Sequence, residues 1–250
     1  MTGTWIEGWE AQQDQFLPDR EERFQLMFEV LSLLAGEEPA TVLDLGCGPG
    51  SLSARLLRRF PTARVVGVDL DPVLLKIGRE TYAGEPRLRF VTADLADPGW
   101  VQHLALDEAP AAALSTTALH WLELEDVTRL YRDLSRLLRP GGVLLDGDHA
   151  HFPAQPRLGE AASGLAAFIR RRRTRPLVEG ETWDGWWDAM RADPAFAEAF
   201  QKRDRLEHHR HRRRQHVSDE EHVRRLLAAG FSEAAVIWQQ GDDRILAAVR

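Results

Sequence analysis

Residues 41–52 read TVLDLGCGPGSL, a short apolar run followed by three glycines at alternate positions. Glycine lets a backbone turn sharply and approach a ligand closely, because it carries no Cβ. Leu52, Leu56 and Leu57 then recur at helical spacing. Because the first N–H groups of a helix lack partners inside the helix, they point into the space beside the glycines. The stretch therefore predicts a strand, a glycine loop and a helix that outline a nucleotide site.

The glycine spacing separates this site from a dinucleotide site. A dinucleotide fingerprint has the form G-x-G-x-x-G, whereas here Gly50 comes one residue early and Ser51 stands in its place. An acid, Asp44, also precedes the loop. The motif resembles D-x-G-x-G-x-G of the class I S-adenosylmethionine (SAM)-dependent methyltransferases, which Asp44, Gly46, Gly48 and Gly50 match. The competing interpretation is a tight strand-to-helix turn without a ligand.

An acid also ends the second predicted strand, which covers residues 63–68. A carboxylate in the position of Asp69 can accept hydrogen bonds from both hydroxyls of a ribose, as in other nucleotide folds. Asp69 and Asp71 together would repel a 2′-phosphate, which disfavours NADP. Asp71 precedes Pro72, so we expect Asp71 mainly to cap the next helix.

The family resemblance extends these assignments along the chain. It implies that Asp94 accepts a hydrogen bond from the adenine amino group and that Leu95 offers its backbone N–H and side chain to the ring. The alternative for Asp94 is an ordinary loop aspartate. The predicted cofactor-binding set is Asp44, Gly46, Cys47, Gly48, Gly50, Asp69, Leu70, Asp94, Leu95 and Ser115.

Residues 115–121, STTALHW, follow a fourth predicted strand at 111–114. The polar-Pro-Pro-aromatic signature of adenine- and amide-methylating enzymes is absent there. Cytosine carbon methylation needs a cysteine nucleophile, and Cys47 lies in the cofactor loop instead. Ala-Leu-His-Trp is similar to the trans-aconitate methyltransferase branch and its small-molecule relatives. His120 is a candidate general base, because histidine titrates near neutrality; alternatively, His120 and Trp121 close the pocket floor.

A second polar segment, DGDHAH at residues 146–151, follows the fifth predicted strand at 143–146. Ligands of open α/β sheets bind at such strand ends, so His149 is a second candidate base or acceptor contact. Asp148, His149 and His151 are also suitable metal-ligand types. Neighbouring residues rarely supply several good ligands by themselves, and no metal is predicted.

The predicted fold is a Rossmann-like, doubly wound α/β sheet of seven strands with an antiparallel last strand, plus a helical lid insertion. Residues 1–39 are predicted to form an N-terminal helical cap, 40–151 the SAM-binding core, 152–217 the lid and 218–250 the end of the sheet. A helix at 20–35 should pack on the sheet edge, with Trp9 and Arg23 as further possible cofactor contacts. Ser218 and Glu221 form a capping box, followed by a helix to Gly230 and strands at 235–238 and 244–249.

The insertion contains apolar helix patterns and many basic residues. Its Trp183, Trp186 and Trp187 line an apolar acceptor pocket or form the core of the lid. Residues 170–216 hold 12 Arg and one Lys against eight acidic residues. Three interpretations of this positive charge are open. It could attract an acidic acceptor, it could bind RNA, or it could form a solvated helix face that pairs with the acidic rest of the chain. The spacing of His208, His209, His211 and His216 fits no zinc pattern.

Composition limits the remaining possibilities. The 250 residues are 44% hydrophobic, enough for a sizeable core, and the net charge of −7 argues against general nucleic-acid binding. One cysteine gives no disulfide framework and suggests a reducing cytoplasm. No apolar run approaches the ~20 residues of a membrane helix, and no apolar signal region is expected at the N-terminus.

These observations predict a cytoplasmic methyltransferase that transfers a methyl group from SAM to the oxygen, nitrogen or carboxyl group of a small molecule by in-line displacement, leaving S-adenosylhomocysteine. The acceptor is expected to be acidic or aromatic, and the protein to be a monomer or homodimer without a membrane or nucleic-acid partner. The alternatives are an RNA methyltransferase that uses the basic insertion, and a SAM-binding protein without catalysis.

Overall fold

The computed structural model describes residues 2–17, 19–36, 38–173, 182–207 and 217–250. A seven-stranded sheet forms its centre, with the order β3-β2-β1-β4-β5-β7-β6. The strands are β1 Thr41–Leu45, β2 Arg64–Asp69, β3 Leu88–Thr92, β4 Ala112–Thr116, β5 Val143–His149, β6 Glu233–Gln240 and β7 Asp243–Val249. β7 lies between β5 and β6 and runs antiparallel to both. This is the predicted doubly wound sheet with an antiparallel last strand.

Helices cover both faces of the sheet. They are α1 Thr2–Phe16, α2 Arg20–Ala35, α3 Ser51–Arg59, α4 Pro72–Thr81, α5 Leu124–Leu137, α6 Pro156–Arg173, α7 Trp183–Ala192, α8 Ala197–Glu207 and α9 Asp219–Ala229, with 3-10 helices at Trp100–His103, Leu119–Trp121 and Pro194–Phe196. Apolar side chains of α5 and α9 form a core on one face. Those of α2 and α3 form a second core on the other face. Burial of both faces explains why the strands of the sheet read as apolar runs.

The strands and the helices at 20–35, 73–82, 124–138 and 219–229 are confirmed within a few residues. Two features differ from the sequence-based expectation. Residues 2–16, for which no separate helix was predicted within the N-terminal cap, form helix α1. Helix α2 packs across β5 rather than on the sheet edge, because Phe24, Met27, Phe28 and Leu31 face the sheet interior.

The tryptophans of the insertion are packed among helices. Trp186 and Trp187 join Met190, Phe196 and Phe200 against Val73, Leu74 and Ile77 of α4. Trp5 and Trp9 of α1 pack edge-on or tilted against the same cluster, with ring centroids 6.4 and 5.6 Å from that of Trp186. These contacts favour the interpretation of a helical core over that of an acceptor pocket.

Some of the charged residues of the insertion form ion pairs in the described part of the chain. Arg203 Nε lies 2.7 Å from Asp71, and Arg191 lies 2.9 Å from Asp204. The histidines at 208–216 and the arginine run at 212–214 lie outside the described residues. Among the described helices, none is both long and apolar enough to cross a membrane.

Candidate functional site

The glycine loop connects the end of β1 to the start of α3. Gly46, Gly48 and Gly50 have φ values of 70°, 54° and 92°, in the left-handed region that favours glycine. The amides of Gly46 and Cys47 both donate to the carbonyl of Val68 at the end of β2, over 2.8 and 3.1 Å. The loop is thus fixed to two neighbouring strands.

Two of these glycines are also required by close contacts. A Cβ on Gly46 would lie 2.3 Å from the Cβ of Ala118, and one on Gly50 would lie 2.8 Å from the ring of Phe90. Ala118 belongs to the loop that carries His120, so the glycine loop and the His120 loop touch at this point. A side chain on Gly46 would therefore disturb both loops.

Asp44 lies almost fully buried in β1, with 1% of its surface exposed. Its Oδ2 accepts hydrogen bonds from the amide and hydroxyl of Ser53, in the first turn of α3, over 3.1 and 2.6 Å. Its Oδ1 accepts none from the described residues. Burial raises the pKa of Asp44 to about 7, against the lowering effect of Ser53. Asp44 thus ties the strand to the helix and keeps one oxygen unsatisfied.

The thiol of Cys47 packs beside β2 and donates to the carbonyl of Gly48 over 3.5 Å. Its Sγ would lie 3.0 Å from a Cβ on Gly67, so the absence of a side chain at Gly67 in β2 makes room for the thiol. Burial raises the pKa of the Cys47 thiol. Because the side chain is buried, only the backbone of Cys47 can face a ligand. The sequence analysis did not single out Gly67, although a lone glycine within a strand pattern can indicate a close approach of another group.

Asp69 is fixed at the end of β2 by two backbone amides. Its Oδ2 accepts from the N–H of Gly48 and its Oδ1 from the N–H of Asp71, both over 2.8 Å. Burial raises the pKa of Asp69 against the effect of these bonds. Each carboxylate oxygen can accept about two hydrogen bonds, so both oxygens can still accept one from a ligand. Asp71 caps α4 as predicted, accepting from Val73 and Leu74.

The remaining predicted cofactor residues lie along the same sheet edge. Leu70 directly follows Asp69 and is half-buried, and Leu95 is buried after β3. Asp94 Oδ1 accepts a 2.9 Å hydrogen bond from the amide of Ala96, which forms a local turn. Ser115 is buried, and its hydroxyl donates to the carbonyl of Leu45 over 2.9 Å. In the structure, Ser115 therefore joins β4 to β1.

Helix α1 lies over the glycine loop. A Cβ on Gly48 would come 3.6 Å from the ring of Trp9. Glu10 accepts hydrogen bonds from the Ser51 hydroxyl, at the start of α3, and from Arg55 over 2.9 Å. Glu10 also pairs with the buried Arg20. Sequence reasoning noted Trp9 but missed Glu10, because a single acid in a polar helix carries no signal of its own.

His120 lies in the short helix after β4 and is held by Asp148 of β5. His120 Nδ1 is 2.8 and 3.0 Å from the two oxygens of Asp148. Burial alone would raise the pKa of Asp148, but the hydrogen bond and charge of His120 lower it well below its usual range. Thr117, three residues before His120, has a φ of 48°, a strained backbone for a β-branched residue. Its amide donates to the carbonyl of Gly147 over 2.9 Å.

A buried ion-pair network lies next to this histidine. Arg244 Nη1 is 2.8 Å from Asp146 Oδ2, and Arg244 Nε is 2.9 Å from Asp219 Oδ1. Burial alone would lower the pKa of Arg244, but the surrounding carboxylates raise it. His222 Nδ1 is 2.8 Å from the Tyr131 hydroxyl. Sequence reasoning noted Asp146 within the polar segment 146–151 but missed the other residues of this network, since they lie far apart in the chain and belong to no motif.

His149 has a different partner. Its Nδ1 lies 3.8 Å from Asp242 Oδ1, and the contact with Asp242 raises the pKa of His149. Arg23, fully buried in α2, pairs with Asp243 over 2.7 Å and donates to Thr116 over 2.5 Å. Arg23 therefore ties α2 to the strand ends. Within the described ranges, no group of three His, Cys, Asp or Glu side chains could hold a metal ion.

Residues 42–142 match the family model for a methyltransferase domain. A trans-aconitate 2-methyltransferase of Azoarcus sp. (strain BH72) is 38% identical over 136 residues, which cover 54% of this chain and 49% of that protein. A second, from Methylobacterium radiotolerans, is 39% identical over 124 residues, 50% of this chain and 44% of that protein. The chain thus spans about half the length of the curated relatives it matches.

Solved structures share the fold at low identity. A putative O-methyltransferase from Nostoc punctiforme superposes with a TM-score of 0.59 and 16% identity, over 96% of this chain and 60% of that one. The family-model match includes the glycine loop, the His120 loop, and Asp69 and Asp94, the acids predicted to contact the ribose and the adenine. All of these lie between residues 42 and 142. The methyltransferase domain model thus matches residues 42–142, and the chain shares its fold with solved methyltransferase structures.

Proposed function

We propose that this chain is a SAM-dependent methyltransferase that acts on a small-molecule acceptor. The observation that carries the proposal is the Asp69 carboxylate beside the glycine loop. Asp69 is held by the amides of Gly48 and Asp71, and one lone pair on each oxygen is left for the two hydroxyls of a ribose. A turn without a ligand needs no such orientation.

Other features of the loop fit the same cofactor. The left-handed glycines leave the backbone open towards the ligand, and the unsatisfied Asp44 Oδ1 offers a buried hydrogen-bond acceptor. Asp94 and Leu95 follow the neighbouring strand, where the adenine ring is expected. Trp9 lies over Gly48, so α1 forms a cover for this side of the site. The human N-acetylserotonin methyltransferase, whose structure was solved in complex with SAM, shares the fold with a TM-score of 0.51 and 14% identity over 96% of this chain and 59% of that one.

SAM, when bound, supplies an activated methyl group on a sulfonium. The work left to the protein is to orient the acceptor, which can contribute on the order of 7–11 kcal/mol to lowering a barrier. The His120 loop touches the glycine loop through Ala118 and Gly46. This contact fixes the position of the His120 loop relative to the glycine loop.

His120 is the proposed general base. Because Asp148 lies at its Nδ1, the N–H of the neutral imidazole is placed there and Nε2 is left to take a proton. The fixed tautomer and ring orientation are what a general base requires, and such a base contributes about 10²- to 10⁴-fold in rate. This dyad favours catalysis over a role limited to cofactor binding.

His149 is the weaker candidate. Asp242 raises the pKa of His149 but lies 3.8 Å from its Nδ1, farther than Asp148 lies from His120, so the ring of His149 is less firmly oriented. We therefore assign His149 a contact with the acceptor. Helix α6 approaches the same region, since Ser163 donates to Asp242 over 3.1 Å. We propose that α6 belongs to the cover of the acceptor, and α1 and α7 to that of the cofactor.

Calorimetric titration with S-adenosylhomocysteine tests the proposal. The wild-type protein should bind with a clear heat. Asp69→Ala should weaken binding by about 100-fold or more, since hydrogen bonds to a charged group contribute ~1.5–3 kcal/mol each. Asp69→Asn, which keeps the shape but removes the charge, should lie between the two.

Asp71→Ala provides the matched control. Asp71 is the next acid in the chain, caps α4 and pairs with Arg203. Its loss therefore costs at least about 1 kcal/mol of stability, but it should leave the affinity nearly unchanged because the backbone amide that holds Asp69 remains. No binding by the folded wild type would contradict the proposal. Equal losses of affinity in Asp69→Ala and Asp71→Ala would make the effect one of loop stability.

A further inference from the structure

The carboxylate of Glu10 lies at the first residue of α3, on the side of the glycine loop that α1 covers. Its Oε1 accepts a hydrogen bond from the hydroxyl of Ser51. Its Oε2 accepts from Arg20 and, over 2.9 Å, from Arg55. Arg20 is buried, with 4% of its side chain exposed. Donors from α2 and α3 therefore hold the carboxylate of α1 in a fixed position.

Ser51 is also the residue that separates this loop from a dinucleotide loop. The third glycine of G-x-G-x-x-G would stand at its position, where a glycine allows close packing of the helix on the strand. A serine adds a hydroxyl donor there, and Glu10 accepts its hydrogen bond. The departure from the dinucleotide pattern thus brings a carboxylate to the start of the helix.

In other nucleotide folds, a phosphate group lies in the corresponding place. When an acid after the second strand holds the ribose, the phosphates on the 5′ carbon lie at the N-terminus of the helix that follows the first strand. In this chain the acid is Asp69 and the helix is α3, whose first residue is Ser51. A phosphate on a ribose at Asp69 would therefore approach the carboxylate of Glu10.

Glu10 is charged at neutral pH. Burial alone would raise its pKa, but its ion-pair and hydrogen-bond partners lower it below its usual value. The two arginines are shared with further acids, since Arg55 Nε lies 2.6 Å from Glu21 and Arg20 Nε lies 3.9 Å from Asp14. A phosphate would thus meet a like charge. To reach the arginines, it would have to displace a carboxylate that is part of the same chain.

We propose that Glu10 is a specificity-determining residue of the cofactor site and excludes nucleotides that carry a phosphate on the ribose 5′ carbon. This inference rests on the proposed function, because it concerns which adenosine compounds bind at Asp69. Glu10 takes the place of the phosphate at the start of α3, and Ser51 holds it there.

The charge on the 5′ substituent is what distinguishes the two classes of cofactor. SAM carries a sulfonium on this carbon, a cation that a nearby carboxylate does not repel. AMP, ADP and NAD carry phosphate there, which the carboxylate repels. Adenine and ribose are common to both classes, so contacts with Asp69 and Asp94 cannot separate them. Glu10 provides the discrimination that these two acids lack.

The test compares adenosine and ADP as competitors of S-adenosylhomocysteine in calorimetric displacement titrations. The two compounds differ only in the 5′-diphosphate, so the ratio of their dissociation constants isolates the effect of the phosphates. Wild-type protein should bind ADP at least about 10-fold more weakly than adenosine, the low end of the effect of one neighbouring charge. Equal affinities, or tighter binding of ADP, overturn the inference. Wild-type protein that does not bind S-adenosylhomocysteine contradicts the proposed function instead.

Glu10→Gln and Glu21→Gln form a matched pair of variants. Both remove a carboxylate from Arg55, but Glu10 accepts from Ser51 at the start of α3, whereas Glu21 is 56% exposed on α2. Glu10→Gln should lower the ratio of the ADP constant to the adenosine constant by about 10-fold, and Glu21→Gln should leave it unchanged. An unchanged ratio in Glu10→Gln, or the same change in both variants, overturns the assignment. The wild-type comparison decides the inference if Glu10→Gln does not fold.

Discussion

The proposed site has two halves that are built in different ways. The proposed cofactor half, residues 44–50, 69–71 and 94–95, is held by short-range backbone contacts around the ends of β1 to β3. The acceptor half consists of Thr117 to Trp121, Asp146 to His149, Asp219, His222 and Arg244, and side chains far apart in sequence hold it together. The cofactor half is thus set by loop conformation, and the acceptor half by buried charge.

The largest contrast is expected in catalysis. Asp148→Asn and His120→Gln should lower kcat by about 10²- to 10⁴-fold, since either change removes the oriented base. Both variants should bind S-adenosylhomocysteine with a dissociation constant within about a factor of two of the wild-type value. Such a change corresponds to less free energy than one hydrogen bond contributes. Stopped-time assays and calorimetry on the same preparations measure the two quantities. A parallel loss of cofactor affinity would show that the halves are not separable.

Stability should depend strongly on the ion pairs of the acceptor half. Arg244→Leu removes the partner of Asp146 and Asp219 and leaves buried carboxylates unpaired. The free energy of unfolding, measured in urea, should fall by about 3–5 kcal/mol. Arg224→Leu is the control, because Arg224 is exposed and pairs only locally with Glu221. A similar small loss in both variants would mean that the network contributes little.

The acceptor half should also respond to acid. The pKa of His222 is about 4 in the folded protein, first because of burial and then because of Arg244, against about 6.5 when unfolded. The unfolded chain therefore binds more protons between these values, and stability falls as the pH drops from about 6.5 to 4. His222 should account for about 3 kcal/mol of that loss.

The groups that face His222 are Tyr131, Asp148, His151, Glu221 and Arg244. Urea unfolding of wild type and His222→Gln across this range isolates the contribution of the histidine. The variant should show a shallower decline than the wild type. Parallel curves would assign the acid sensitivity to the carboxylates instead.

The smallest effect is expected from a substitution in the glycine loop. Gly50→Ala places a side chain at a φ of 92° and against Phe90. Left-handed backbone costs a non-glycine residue about 1–2 kcal/mol, and the loop should lose affinity for S-adenosylhomocysteine as it shifts. Gly84, with open space around it, gives the control substitution Gly84→Ala. Unchanged affinity in Gly50→Ala would show that the loop tolerates distortion.

The same contrast explains what could be predicted from sequence. The strand, glycine loop and Asp69 were recognisable because their contacts lie within a short stretch and require particular residue types. His120 was found through its motif, but its partner Asp148 had been read as a possible metal ligand or acceptor contact. Arg244 carried no signal, since a buried arginine in a strand becomes meaningful only when the pairing of β5 with β7 is known. Helix α1 was missed because its partners, α4 and α7, are remote.

The position of β7 has a consequence for the order in which the protein is assembled. Protein synthesis runs from the N-terminus, and β7 is the last of the described strands to emerge, yet it lies inside the sheet between β5 and β6. The nascent chain can fold the β1-to-β4 region early. Asp146 can pair with Arg244 only after Arg244, 98 residues further along the chain, has been synthesised. Such distant pairing is slow and leaves a strand edge exposed. Until β7 pairs with β5, the exposed edge of β5 is where a chaperone would bind or where two nascent chains would aggregate.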